Sequence, residues 1–141
     1  MAEERGRIIE KRKLENGIEL ILYDRSRIMS GDRWLVELVC EAHVPVEDNS
    51  WNLVAGEEPH MAAEIRKILG ERLVFLTDKK RNFVDSEERE KILQAMVQQV
   101  YSSILKYLQR PNFPHRLFMK QFRDARQKVM LQKAMQRLAD D

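Results

Sequence analysis

The sequence predicts an α+β fold: an antiparallel β-sheet packed on one face by a long central helix and an antiparallel C-terminal helix. Three stretches carry that expectation. In residues 33–46, Trp34, Val36, Leu38, Cys40, Ala42, Val44 and Val46 alternate with a second set that includes Glu37, Glu41 and His43. This is the two-residue period of a strand with one buried face. In residues 86–109, Ile92, Leu93, Met96, Val97, Val100, Tyr101, Ile104 and Leu108 recur at spacings of one, three and four, which is the helical period. Residues 114–138 keep a helical pattern with no Gly or Pro after Pro114.

Each element follows in order. Residues 7–23 read as a hairpin about Asn16-Gly17. A two-residue turn would set Leu14 against Glu19. A three-residue loop, Glu15-Asn16-Gly17 with Gly17 left-handed, pairs Leu14 with Ile18, Lys13 with Glu19 and Arg12 with Leu20. That register keeps the apolar side consistent and is the expected one. Residues 24–32 read as a polar loop. Pro45 cannot donate to a ladder, so the strand at 33–46 ends there or lies at an edge. Residues 47–58 read as a loop around an isolated Trp51. Pro59 suits a first helical position, so 59–69 form a short helix burying Ala62, Ile65, Ile68 and Leu69, ended by Gly70. Leu73-Val74-Phe75-Leu76 is a short strand that Asp78-Lys79-Lys80-Arg81 turns back into Asn82-Phe83-Val84.

The central helix has a strong start. Asp85 can cap it, with Glu88 at the capping-box spacing. Glu87, Glu88 and Glu90 place negative charge on the positive end of the helix dipole. Pro111 ends the run. The connector Pro111-Asn112-Phe113-Pro114 is short, which makes the last two helices antiparallel neighbours. The expected core is Trp34, Val36, Leu38, Cys40, Ile65, Ile68, Phe75, Ile92, Met96, Val100, Ile104, Leu108, Phe118 and Phe122.

At 141 residues the chain is expected to be a single α+β domain over 1–141. Within it, 7–85 form a sheet-rich part with one short helix and 86–139 a helical hairpin. No apolar run approaches the roughly 18 residues that span a membrane, and the first residues lack a signal-peptide core. A lone Cys40 has no internal disulfide partner, which favours a reducing cytoplasm. The net charge of +2 hides an asymmetry. Residues 1–70 carry 10 basic and 14 acidic side chains; residues 71–141 carry 15 and 9. Between Lys106 and Leu138, nine bases face a single acid, Asp124.

The last helix changes face. Placed at about 100° per residue, Phe118, Phe122, Ala125 and Val129 form an inward cluster. Leu131, Ala134, Met135 and Leu138 form a second apolar cluster on the opposite side. A kink near Met130, a frayed end or a meeting with another chain would each account for it. Arg116, Lys120 and Arg123 make one basic stripe opposite the Phe118/Phe122 face; Arg126, Lys133 and Arg137 make another. Such stripes contact nucleic-acid phosphates in a salt-sensitive way, or simply form a solvated outer face.

Other chemistry finds little support. Glu57-Glu58-Pro59-His60 has a Glu-x-x-His spacing, but a carboxylate-bridged metal site needs two such motifs and two more Glu. Cys40 and His43 point to opposite faces of a strand. No phosphate loop or nucleophile motif is present, and no cofactor or metal ligand is assigned. The loop from Asp24 to Trp34 gathers three Arg, two Asp and a Trp. It is either a recognition loop or a turn whose Arg pair with its Asp.

Gly31-Asp32-Arg33-Trp34-Leu35-Val36, Arg81-Asn82-Phe83, and Tyr107-Leu108 with Pro111-Asn112-Phe113-Pro114 together resemble a group of small uncharacterised bacterial proteins. The resemblance implies a bacterial cytoplasmic protein and carries no activity or site. The leading functional expectation is a non-enzymatic interaction module. It uses the apolar stripe Leu131, Ala134, Met135 and Leu138 for a protein partner or a second copy of itself. Nucleic-acid binding through Arg116, Lys120, Arg123, Arg126, Lys133 and Arg137 is the alternative, and an enzyme with an unrecognised site is the third. No membrane partner is expected.

Overall fold

The hairpin that Asn16-Gly17 demands is present in a computed structural model that describes residues 6–140. β1 (Arg7–Lys13) and β2 (Glu19–Asp24) pair antiparallel, with Arg12 opposite Leu20 and Lys13 opposite Glu19. Leu14 N–H donates to Ile18 O at 2.8 Å. Gly17 takes φ +85°, the left-handed conformation that closes a three-residue loop. The Asn16 side-chain amide donates to Leu108 O at 2.9 Å, tying the loop to the end of the central helix.

The architecture is α+β, with a five-stranded antiparallel sheet, helices, and a C-terminal helix among them. Two compact units share the chain. Among the described residues, one takes 6–44 and 74–111; the other takes 45–73 and 112–140.

The first unit is built on β4 (Arg33–Pro45). β2 pairs with it over Leu38–His43 and β3 (Arg27–Ser30) over its first residues. Residues 24–32 are therefore not all loop. The register carries on from one strand to the next, with Asp24 opposite Leu38 and Arg27 opposite Leu35. Arg25 N–H donates to Glu37 O in between. β2 and β3 are thus one long arm, interrupted at Arg25-Ser26, along one side of β4. β1 starts against this interruption. A Cβ on Gly6 would stand 2.3 Å from Asp24 O, so only glycine fits there.

β5 (Arg72–Asp85) takes the other side of β4 as a single 14-residue strand. The turn expected at Asp78–Arg81 does not form. Those charges sit on a strand that pairs with β4 alone among the described elements, where edge charges are tolerated. Near the end of β5, Phe83 is exposed at φ +57°, a strained value for an aromatic residue.

β4 differs from the expectation of one buried face. Every residue from Leu35 to Ala42 is buried, including Glu37 and Glu41. The face bearing Cys40 is the one expected to be inside. Its hydrophobic members (Val36, Leu38, Cys40, Ala42, Val44) are at most 1% exposed. The opposite face buries Val39 with Ile21 and Tyr23 of β2. A fully buried Val, Leu or Ile contributes about 1.5–3 kcal/mol, so this strand is the main hydrophobic anchor of the unit.

The central helix is not uniform. It runs as α3 (Arg89–Gln99), a wide π-turn (Val100–Ile104) and α4 (Leu105–Leu108). The signal lies in Ser102-Ser103, whose hydroxyls both donate to Gln99 O, at 3.1 and 2.6 Å. The turn also resets phase. In a plain α-helix Leu108 would stand about 80° away from Val100; one extra residue in the turn removes about 100°. Both side chains are accordingly buried. Trp34 is only half-buried and lies beneath Arg89, whose guanidinium carbon is 4.2 Å from the ring centre.

The second unit is helical. Trp51 is not isolated in a loop: it sits in α1 (Asp48–Asn52), edge-on to Phe118 at 5.0 Å. α2 (Pro59–Leu69) starts at Pro59 as expected. Its cap is Glu58, whose carboxylate accepts the His60 and Met61 N–H groups at 2.8 and 3.0 Å. α2 packs on α5 (Phe113–Asp140). Ile65 is fully buried, but Ile68, expected in the core, is 45% exposed. It lines an open cleft with Leu69 and with Gln121, Asp124, Ala125 and Lys128 of α5, which leaves it partly in solvent.

Candidate interaction surface

α5 is 28 residues long, about 42 Å. Its inward side is set by sequence spacing: Phe118, Phe122, Ala125 and Val129 fall three and four apart, and all are buried. The Phe118 and Phe122 rings lie tilted against each other at 5.9 Å, with Trp51 edge-on to both. The Arg66 guanidinium caps the Trp51 ring at 4.7 Å. Val129 is the last buried residue of the helix.

Beyond it the helix continues to Asp140. A frayed end therefore does not explain the second apolar cluster, and no bend buries it. Leu131, Met135 and Leu138 are 61%, 60% and 76% exposed, and Ala134 is exposed beside them. Met130 adds to the same surface.

The basic residues divide. Arg126 donates to Glu57 at 2.9 Å, and Lys133 Nζ rests on the Met61 sulfur at 3.4 Å. Both belong to the side of α5 that faces residues 57–61, so the second basic stripe is largely engaged within its own unit. Arg137 is exposed in the last turn. Arg116, Lys120 and Arg123 are exposed, and no ion pair holds them among the described residues. They fall within about 60° of one another around the helix, and Ala134, Leu138 and Leu131 continue the same sector. The two features the sequence treats as separate are thus successive halves of one outward face, basic first and apolar after.

The carboxylates near residue 58 are accounted for. Glu57 holds Arg126, and the two backbone N–H donors keep Glu58 below the usual glutamate range. In the loop from Asp24 to Trp34, the expected pairing of Arg with the loop's Asp holds for Arg33 alone among its three Arg. Arg25 and Arg27 reach past the Asp residues to Glu37, at 3.6 and 3.2 Å, and Lys80 of β5 joins them at 3.7 Å. Arg33 pairs with Asp32 and Asp85. Asp24 accepts Ser26 N–H and holds Arg7.

Two groups on β4 escaped the sequence reading. Glu37 is a buried carboxylate facing three half-exposed cations. Glu41, also buried, shares a short hydrogen bond with His43 Nε2, while His43 Nδ1 is buried without a partner. Alternation made both glutamates look solvent-facing. The only sequence signal was the local surplus of Arg and Lys. Burial pushes the Cys40 thiol up to about 11, so it is an inert core group. Burial first, and then the Glu10 carboxylate, push Tyr101 up to about 12, against the pull of Arg12 stacked on its ring at 4.6 Å.

No family model, curated protein or solved structure matches this chain. Among the described residues, no helix is long and apolar enough to cross a membrane.

Proposed function

We propose that the chain is a protein-interaction module whose outward face of α5 docks into an apolar groove with an acidic rim on another protein. The observation that carries this is the continuation of α5 past Val129 with Leu131, Ala134, Met135 and Leu138 exposed. An apolar stripe on a formed helix fits helix-in-groove recognition, read through anchors at spacings of three and four. The basic half ahead of it selects an acidic counterpart at one end.

A second copy of the chain fits less well. Side-by-side parallel pairing sets Arg116, Lys120 and Arg123 against themselves. Antiparallel pairing of the apolar ends uses five side chains from each copy (Met130 and the four above), far fewer than the roughly 20–30 residues a side of a stable interface. Nucleic-acid binding is weakened by the engagement of Arg126 with Glu57. The same proposal takes the module to act in a bacterial cytoplasm, a reading that the lone buried Cys40 supports.

The test uses a photo-crosslinking residue at Leu131 in the full chain, followed by binding of the purified crosslinked protein. We expect one protein partner, lost with Leu131→Glu/Met135→Glu and weakened by salt and by Arg116→Glu/Lys120→Glu. A homodimer mass on light scattering would replace the groove with a second copy. A co-purifying 260 nm absorbance that salt removes would replace it with nucleic acid. Binding indifferent to the double variant would overturn the reading.

A further inference from the structure

β5 and α3 leave a half-open groove of about 410 Å³ between them, lined by Lys79, Lys80 and Arg81 from the strand and by Ile92, Ala95, Met96 and Gln99 from the helix. We propose that this groove binds a small amphipathic anion, with a carboxylate or phosphate head on Lys79 and Arg81 and a short apolar body on Ile92, Ala95 and Met96.

The topology explains the mixture. β5 ends at Asp85 and the chain reverses into α3, so strand and helix run back alongside each other. Phe75 against Tyr107, ring centres 6.2 Å apart, marks the far end of this packing and fixes which strand face looks at the helix. Residues 79 and 81 share that face with 75, because a strand alternates. Lys80, between them, also contributes to the lining, but its ammonium is engaged by Glu37 and Asp78.

The charges do not balance within the groove. Glu37 takes Arg25, Arg27 and Lys80; Asp78 takes Lys80; Asp85 takes Arg33. Lys79 and Arg81 have no ion pair among the described residues, and no carboxylate lines the groove. Solvated cations on an edge strand also discourage strand-to-strand aggregation, and one charge would serve that purpose. Two cations on the inward face, above an apolar floor, add what a ligand site needs: a fixed polar head position and an apolar wall. The volume lies within the range of small-molecule sites.

A second feature converges on the same place. Gln99 closes the groove, and the π-turn begins at the next residue. The Gln99 carbonyl takes the Ser102 and Ser103 hydroxyls at that irregularity. Single π-turns inside helices concentrate at functional sites.

The experiment is an amide-resolved NMR titration of the full chain with sodium octanoate and with octyl phosphate. Controls are 1-octanol, inorganic phosphate and a blocked alternating Glu/Val hexapeptide. We expect shifts at Lys79, Arg81, Ile92, Ala95, Met96 and Gln99, with a dissociation constant on the order of 1 mM or tighter. The tighter of the two anions identifies the head group. Octanol and inorganic phosphate should bind at least about tenfold more weakly, since each lacks half of the complement. Lys79→Gln/Arg81→Gln should lose at least about tenfold, and Ala95→Trp, at an exposed position, should fill the groove and abolish binding. Thermal melts confirm that both variants fold. Absence of groove shifts with either anion overturns the proposal, as does octanol matching octanoate or wild-type affinity in the double variant. Shifts along β5 from the peptide alone would overturn it in favour of an added strand.

Discussion

β4 and the last eleven residues of α5 treat the same physical rule in opposite ways. β4 buries two carboxylates; the end of α5 exposes leucines and methionines. Burying a carboxylate is costly unless it is paired and hydrogen-bonded. Glu37 meets that condition with Arg25, Arg27 and Lys80 around it, plus the Ser26 hydroxyl on its own backbone N–H. Its charge is balanced inside the unit that holds it. The apolar end of α5 has no such internal solution, because its inward side is complete at Val129. The lesson is that an apparent violation with its compensation in place is structural, and one without it points outward.

The sharpest way to break this comparison is to move the charge. Leu38→Glu places a carboxylate next to Glu37 on the Cys40 face, away from those three cations. We expect a loss of at least about 3–5 kcal/mol in urea unfolding, enough to unfold the first unit. Its counterpart on α5, Leu131→Glu, should change stability by no more than about 0.5 kcal/mol. Similar losses from the two would erase the distinction.

A smaller effect tests the pairing itself. Glu37→Gln keeps shape and removes charge. Arg25, Arg27 and Lys80 are about half exposed, so water takes over much of their solvation. The expected cost is about 1–2 kcal/mol in the same assay, and it should fall further in an Arg25→Gln/Arg27→Gln background. An unchanged melt would mean that the cations contribute nothing.

The smallest effect concerns the cap on α2. Glu58 is fully exposed, and its carboxylate is held below its usual range by the His60 and Met61 N–H groups. A depressed carboxylate adds stability that is present above its ordinary pKa and is lost as pH falls through its lowered one. Wild type should therefore melt slightly above Glu58→Gln at neutral pH, and the gap should close in acid. A gap that widens in acid would refute the cap.

Much of this was legible beforehand, for local reasons. The hairpin register followed from Asn16-Gly17 and the pairing of apolar side chains. The inward face of α5 followed from Phe118, Phe122, Ala125 and Val129. What stayed hidden depended on distant charges. Lys79-Lys80-Arg81 reads as a turn because the binding of Lys80 to Glu37 cannot be seen from either residue alone. β4 reads as one-sided for the same reason. The π-turn was missed because an apolar stripe this wide absorbs the offset of about 80° between Val100 and Leu108; only Ser102-Ser103 hinted at it. On the candidate surface, both stripes were visible, but their union into one face required knowing which arginines turn back toward Glu57 and Met61.

Gly6 gives that distant wiring an unexpected gatekeeper. Its missing side chain lets β1 lie against the corner at Asp24 and Arg25, where a methyl group would overlap the Asp24 carbonyl. That corner aims Arg25 at the interior of β4. A substitution at this quiet, uncharged position would be felt as an electrostatic fault at Glu37, so the cost of a mutation here would surface far from any atom that was changed.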